Sequence, residues 1–155
     1  MIQRLFIALL IFIISSGVSF AAKKKGIEKV KSKYTFTQTV DRLEDQIKRS
    51  KLNIFQVIDH RENALNAGFR LNPTTLFIVG NPEAGTPLMK CEQSFALDLP
   101  QKILVYEDDE GVVWVAYNNQ NFLKKRHRMK KCELNLERVQ TTLENLVRET
   151  ALRID

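Results

Sequence analysis

Cys91 and Cys132 are the only thiols in this 155-residue chain. Each has a further donor close in sequence: Met89 before the first, His127 and Met129 before the second. Thiol, thioether and imidazole together suit copper(I), so Met89, Cys91, His127 and Cys132 form a candidate metal set. The plainer readings are two free thiols or, first, a disulfide between Cys91 and Cys132, the expected state of an even cysteine count in an oxidising compartment. Closing a loop of roughly forty residues contributes about 4 kcal/mol in the chain-entropy model. On that reading Met89 is core and His127 is one more member of a solvated basic run.

Asp59 and His60 are adjacent. A carboxylate can orient an imidazole as a general base, but neighbours on a strand point to opposite faces, and either residue can cap the helix that follows. Gly80–Gly85, GNPEAG, precedes Thr86 and a helix start, where exposed amides favour an anion. The P-loop lysine is missing and the glycine spacing fits neither nucleotide fingerprint, which leaves ordinary turn chemistry as the competing reading. Lys124–Lys131 holds six Lys or Arg in eight positions. Such a run docks on anionic lipid or an acidic partner, pairs with the acidic turn Glu107–Glu110, or is simply a solvated face. No aromatic residue interrupts it, which argues against nucleic acid.

The elements that must position these residues begin after the N-terminus. Arg4 precedes the apolar run Leu5–Ile14, and Ser19-Phe20-Ala21 ends it with small residues where a signal peptidase reads. Cleavage after Ala21 predicts a periplasmic or secreted product. The alternative is an inner-membrane anchor through an uncleaved Leu5–Ala22, which is about long enough to span and is followed by three lysines that resist export. The formal charge of +6 favours acidic partners, and export makes nucleic acid the least expected of them.

Residues 22–33 read as a lysine-rich mobile leader, and Tyr34–Phe36 as a short strand. Thr37 caps a helix to about Ser50, with Val40, Leu43 and Ile47 on one stripe. Asn53–Asp59 reads as a strand, His60–Ala67 as a helix closed by Gly68, and Thr74–Gly80 as a central strand. Thr86-Pro87 predicts a helix over Pro87–Gln93. Ile103–Glu107 and Val112–Tyr117 form a hairpin about Asp108–Gly111. Asn119–Lys131 reads as a basic helix and Glu133–Leu152 as an amphipathic one with Leu136, Val139, Leu143, Leu146 and Val147 on its stripe. The alternation predicts an α+β domain: two layers, a mixed β-sheet with helices mostly on one face, and a C-terminal helical extension over residues 132–155.

Val57-Ile58-Asp59-His60, Leu71–Leu76, Gly80–Met89, Leu97-Asp98-Leu99-Pro100, the hairpin and Tyr117-Asn118 together resemble the family known as domain of unknown function 302. The resemblance covers Tyr34 to His127, and Gly80–Met89 is its most specific piece. It implies a compact α+β fold, often homodimeric, and no agreed reaction, cofactor or catalytic residue. The cysteines and the basic C-terminal region depart from the usual pattern.

Three functions follow as expectations. The first is an exported, non-catalytic, dimerising module that binds a small ligand or protein partner, with Asp59, His60, Asn81, Thr86, Lys102 and Tyr117 as candidate contacts and no resident cofactor. The second is copper or redox handling through Met89, Cys91, His127 and Cys132. The third is an enzyme using Asp59 and His60 with Lys102 or Tyr117.

Overall fold

The computed structural model describes residues 26–129 and 133–153. The signal segment, the first lysines of the leader, Lys130, Lys131 and Cys132 lie outside the described residues. In chain order the elements are β1 (Ile27–Lys31), α1 (Phe36–Arg49), β2 (Asn53–Asp59), α2 (His60–Asn66), β3 (Thr74–Gly80) and α3 (Pro82–Cys91). A 3-10 helix (Gln93–Asp98), β4 (Gln101–Glu107), β5 (Val113–Asn118), α4 (Gln120–Arg126) and α5 (Glu133–Leu152) complete the chain. The five strands form one sheet in the order β1-β5-β4-β3-β2.

Every pairing in that sheet is antiparallel, whereas the alternation of strands and helices predicts a mixed one. The reason lies in the connections. A parallel neighbour requires a crossover that carries the chain back along the sheet. The seven-residue α2 is too short for that, and α3 packs against the 3-10 helix and α5 instead of lying along the strands. The α+β class itself, with one compact domain, is what the structure shows.

Period-two patterning decides the faces of the sheet. Phe77 and Val79 of β3, Ile103 and Val105 of β4, and Val113, Val115 and Tyr117 of β5 are buried in one core. Leu43 and Ile47 of α1 and Leu143, Leu146, Val147 and Ala151 of α5 complete it. Thus α5 is part of the domain core, where the sequence suggested an extension. The alternate residues Leu76, Ile78, Leu104, Tyr106 and Trp114 point to the opposite face and stay half-buried, with the Lys29 ammonium 3.7 Å over the Trp114 ring.

Two boundaries shift for local reasons. β1 occupies part of the expected leader, because Val30 packs on the core and the strand pairs with β5 from Ile27↔Asn118 to Lys31↔Trp114. The expected strand at Tyr34–Phe36 does not form: Thr35, not Thr37, caps α1, which starts at Phe36, because Thr35 and Gln38 form a capping box there.

Candidate functional site

The Gly80–Met89 segment builds the site. β3 ends at Gly80, and Asn81 then starts α3: its Oδ1 accepts from the Glu83 amide at 2.8 Å, and its Nδ2 donates to the Lys51 carbonyl at 3.2 Å. Pro82 takes the first helical position, where a missing N–H costs nothing. The helix therefore begins one turn before the expected Thr86-Pro87 start, and Pro87 lies inside it. The side-chain amide of Asn81 wins because it caps the segment and ties it to the preceding loop in one step.

Placed this way, α3 borders two adjoining hollows. One, of about 380 Å³, is walled by Phe55, Leu88, Met89, Leu99 and Pro100 among others. The other, of about 360 Å³, carries Lys51, Glu83 and Arg138. Gly80 matters to the first: a Cβ there would meet the Phe55 ring at 3.3 Å and Pro100 at 3.4 Å.

Gln101 lines both hollows and starts a chain of paired polar side chains. Gln101 and Gln120 are buried and exchange amide hydrogen bonds, Gln101 Nε2 to Gln120 Oε1 at 3.3 Å and Gln120 Nε2 to Gln101 Oε1 at 2.9 Å. Gln140 accepts from the Gln120 amide at 2.9 Å and donates to the Tyr117 hydroxyl at 3.3 Å. Burial, helped by the Glu144 and Glu28 carboxylates, pushes Tyr117 up to about 12. A phenol held neutral so far above its ordinary range serves here as a hydrogen-bond partner.

Of the candidate ligand contacts, Asn81 and Thr86 line the larger hollow. Tyr117 reaches it through the glutamine chain. Asp59, His60 and Lys102 do not line either hollow. Asp59 is an exposed helix cap, its Oδ1 accepting from the Glu62 amide at 2.9 Å. The Lys102 ammonium donates to the Pro100 carbonyl at 3.2 Å.

Behind the hollow lies a cluster built on His127. Its Nε2 is 2.6 Å from Asp98 Oδ2 and its Nδ1 is 3.0 Å from Ser94 Oγ. Arg126 reaches the other Asp98 oxygen at 3.3 Å, and Phe95 meets the imidazole edge-on with ring centroids 5.2 Å apart. His127 is therefore not a solvated member of the basic run: its side chain is 5% exposed. Both ring nitrogens are engaged, so the imidazole faces no open coordination position. Met89 lines the hollow, and no cysteine is free among the described residues. Among those residues no group of three or more His, Cys, Asp or Glu side chains forms a metal site.

Sequence reasoning missed Ser94, Asp98, Gln101 and Gln120 as site members. Asp98 lies in a recognisable Leu-Asp-Leu-Pro stretch, which was the one signal available. The glutamines carry no spacing that marks them.

The model of the family described as Domain of unknown function DUF302 matches residues 28–150. A crystal structure of an uncharacterized conserved DUF302 protein from Bacillus stearothermophilus superimposes with a TM-score of 0.73 at 16% identity, covering 79% of this chain and 96% of that one. The chain is also similar to fluoride-specific ion channel FluC 1 of Brucella suis biovar 1 (strain 1330), 38% identical over 102 residues. FluC 2 of Brucella melitensis biotype 1 (strain ATCC 23456 / CCUG 17765 / NCTC 10094 / 16M) matches at the same identity and length. Each match covers 66% of this chain but only 40% and 38% of those relatives, so the chain spans about two-fifths of their length. The match over residues 28–150 shows that the chain belongs to the DUF302 family.

Proposed function

We propose that this protein is an exported, non-catalytic module that binds a small molecule in the hollow under Gly80–Met89. The observation that carries the reading is the placement of that segment. Residues of Gly80–Met89 wall a cavity of about 380 Å³, within the range of small-molecule sites, together with Gln101, whose side-chain amide is paired with Gln120. The open sheet face, with Leu76, Leu104, Tyr106 and Trp114 half-buried, supports dimerisation there, since sheets bury such faces against one another. Export rests on the N-terminal apolar run, and a Cys91–Cys132 bond fits that compartment.

The alternatives ask for more. Copper handling by Met89, Cys91, His127 and Cys132 requires His127 to give up Asp98 or Ser94. An enzyme built on Asp59 and His60 requires Asp59 to abandon its cap. Docking of Lys124–Lys131 on an acidic protein or anionic lipid remains compatible with the module, because Lys125 and Arg126 are exposed.

The relatives favour a second reading, a partnership with a membrane channel. Proteins named as fluoride-specific ion channels carry a stretch 38% identical to this chain within one polypeptide, and no described helix here is long and apolar enough to cross a membrane. A module that is joined to a channel in one organism works beside a separate channel in another.

Native mass spectrometry of protein exported by its own signal tests the first reading. A dimer of processed, oxidised chains carrying a bound mass supports it. A monomer with nothing bound counts against both parts of it. For the second, co-purification with a fluoride channel from the same membranes is expected, and its absence after crosslinking rejects it.

A further inference from the structure

The two hollows share Leu52, Asn81, Ala84, Gln101 and Val139 in their walls, so they form one recess with two chemically distinct ends. The apolar end is closed by Phe55, Leu88, Met89, Leu99 and Pro100. The other end has two cations, Lys51 and Arg138, against one carboxylate, Glu83. All three charged residues are exposed, and among the described residues no ion pair links them to one another. The neutral polar side chains between the two ends are already used. Asn81 holds the Lys51 carbonyl and the Glu83 amide, and Gln101 is locked to Gln120. Thr142 donates to the Arg138 carbonyl and Thr86 lies at the opposite, apolar end, so recognition of an ionic head falls to Lys51 and Arg138, and the excess of positive charge selects an anion.

The apolar end sets the body of the ligand. Its volume of about 380 Å³ is more than twice the roughly 150 Å³ of a cavity that takes up benzene. Phe55 in its wall is 55% exposed, an aromatic surface that an apolar occupant would cover. We propose that the recess binds an aliphatic carboxylate, its chain between Phe55 and Leu99 and its head toward Lys51 and Arg138. The inference rests on the reading of this recess as a ligand site and names the ligand class.

The test is calorimetric titration of the full chain with decanoate, decanol and decyltrimethylammonium. Decanoate is expected to bind about ten-fold tighter than decanol, the difference a single charge-assisted hydrogen bond makes, and the ammonium weakest of the three. A Lys51→Gln/Arg138→Gln variant should bind decanoate only as well as decanol. Ala84→Trp, at an exposed position that faces both ends of the recess, should block both ligands, and Phe55→Asp provides a second block should the bulky variant fail to fold. Decanol binding as tightly as decanoate, with Ala84→Trp still blocking it, overturns the anionic head and leaves the ligand site standing. Binding of none of the three, or binding that neither block diminishes, overturns the site itself.

Discussion

His127 Nε2 lies 2.6 Å from Asp98 Oδ2, joining the end of α4 to the 3-10 helix. Both side chains are nearly out of solvent, 5% and 11% exposed. The contact holds the wall of the recess, because Leu99 and Pro100 follow Asp98 directly and line the apolar end.

Replacing Asp98 with Asn leaves Arg126 and His127 facing a neutral amide. The expected cost is about 1–3 kcal/mol in urea unfolding, the usual penalty for a buried group that loses its partner. Ligand affinity should fall with it, as the wall loosens. An Asp98→Asn variant as stable as wild type would show that the pair is idle.

The buried glutamine pair makes a sharper statement. Gln120→Leu strands the Gln101 amide, while Gln101→Leu strands Gln120 Oε1 but leaves its Nε2 on the Asn118 carbonyl at 3.0 Å; each should cost about 1–3 kcal/mol. The double variant removes both polar groups, so its loss should be smaller than the two single losses added. Strict additivity in a denaturation cycle would contradict the pairing.

Much of this fold is legible in the residues. Asn53–Asp59, Thr74–Gly80 and Glu133–Leu152 have the expected bounds, because β-branched runs and an amphipathic stripe specify them locally. The start of α3 was not legible. Asn81 and Thr86 both cap well, and the choice is made by the bond from Asn81 to the Lys51 carbonyl, thirty residues away. The same holds for the site. Asn81 and Thr86 stand out in a recognisable loop, but Ser94, Asp98 and His127 meet only through tertiary packing. The glutamine pair likewise joins β4 to α4.

Tyr117 gives the pH dependence. Its folded-state value of about 12 lies above the ordinary 10, so folding favours the neutral phenol. Both states are protonated below pH 10, and stability is lost as pH rises from there toward 12. Tyr117→Phe should flatten the alkaline limb of unfolding. An unchanged limb would refute the assignment.

Asp59→Ala removes a helix cap and should cost about 1 kcal/mol, leaving ligand binding unaltered. His60→Ala should behave similarly in binding assays. Loss of binding in either variant, with the fold intact, would move the site to the β2–α2 junction.

The most direct test of the central claim is an amide NMR titration of the full chain with the molecule that native mass spectrometry finds bound. The account predicts shifts clustered at Leu52, Gly80–Met89, Ala96–Gln101 and Val139. Shifts confined to Asp59–His60 or to Lys124–His127, with the Gly80–Met89 amides unmoved, would contradict it.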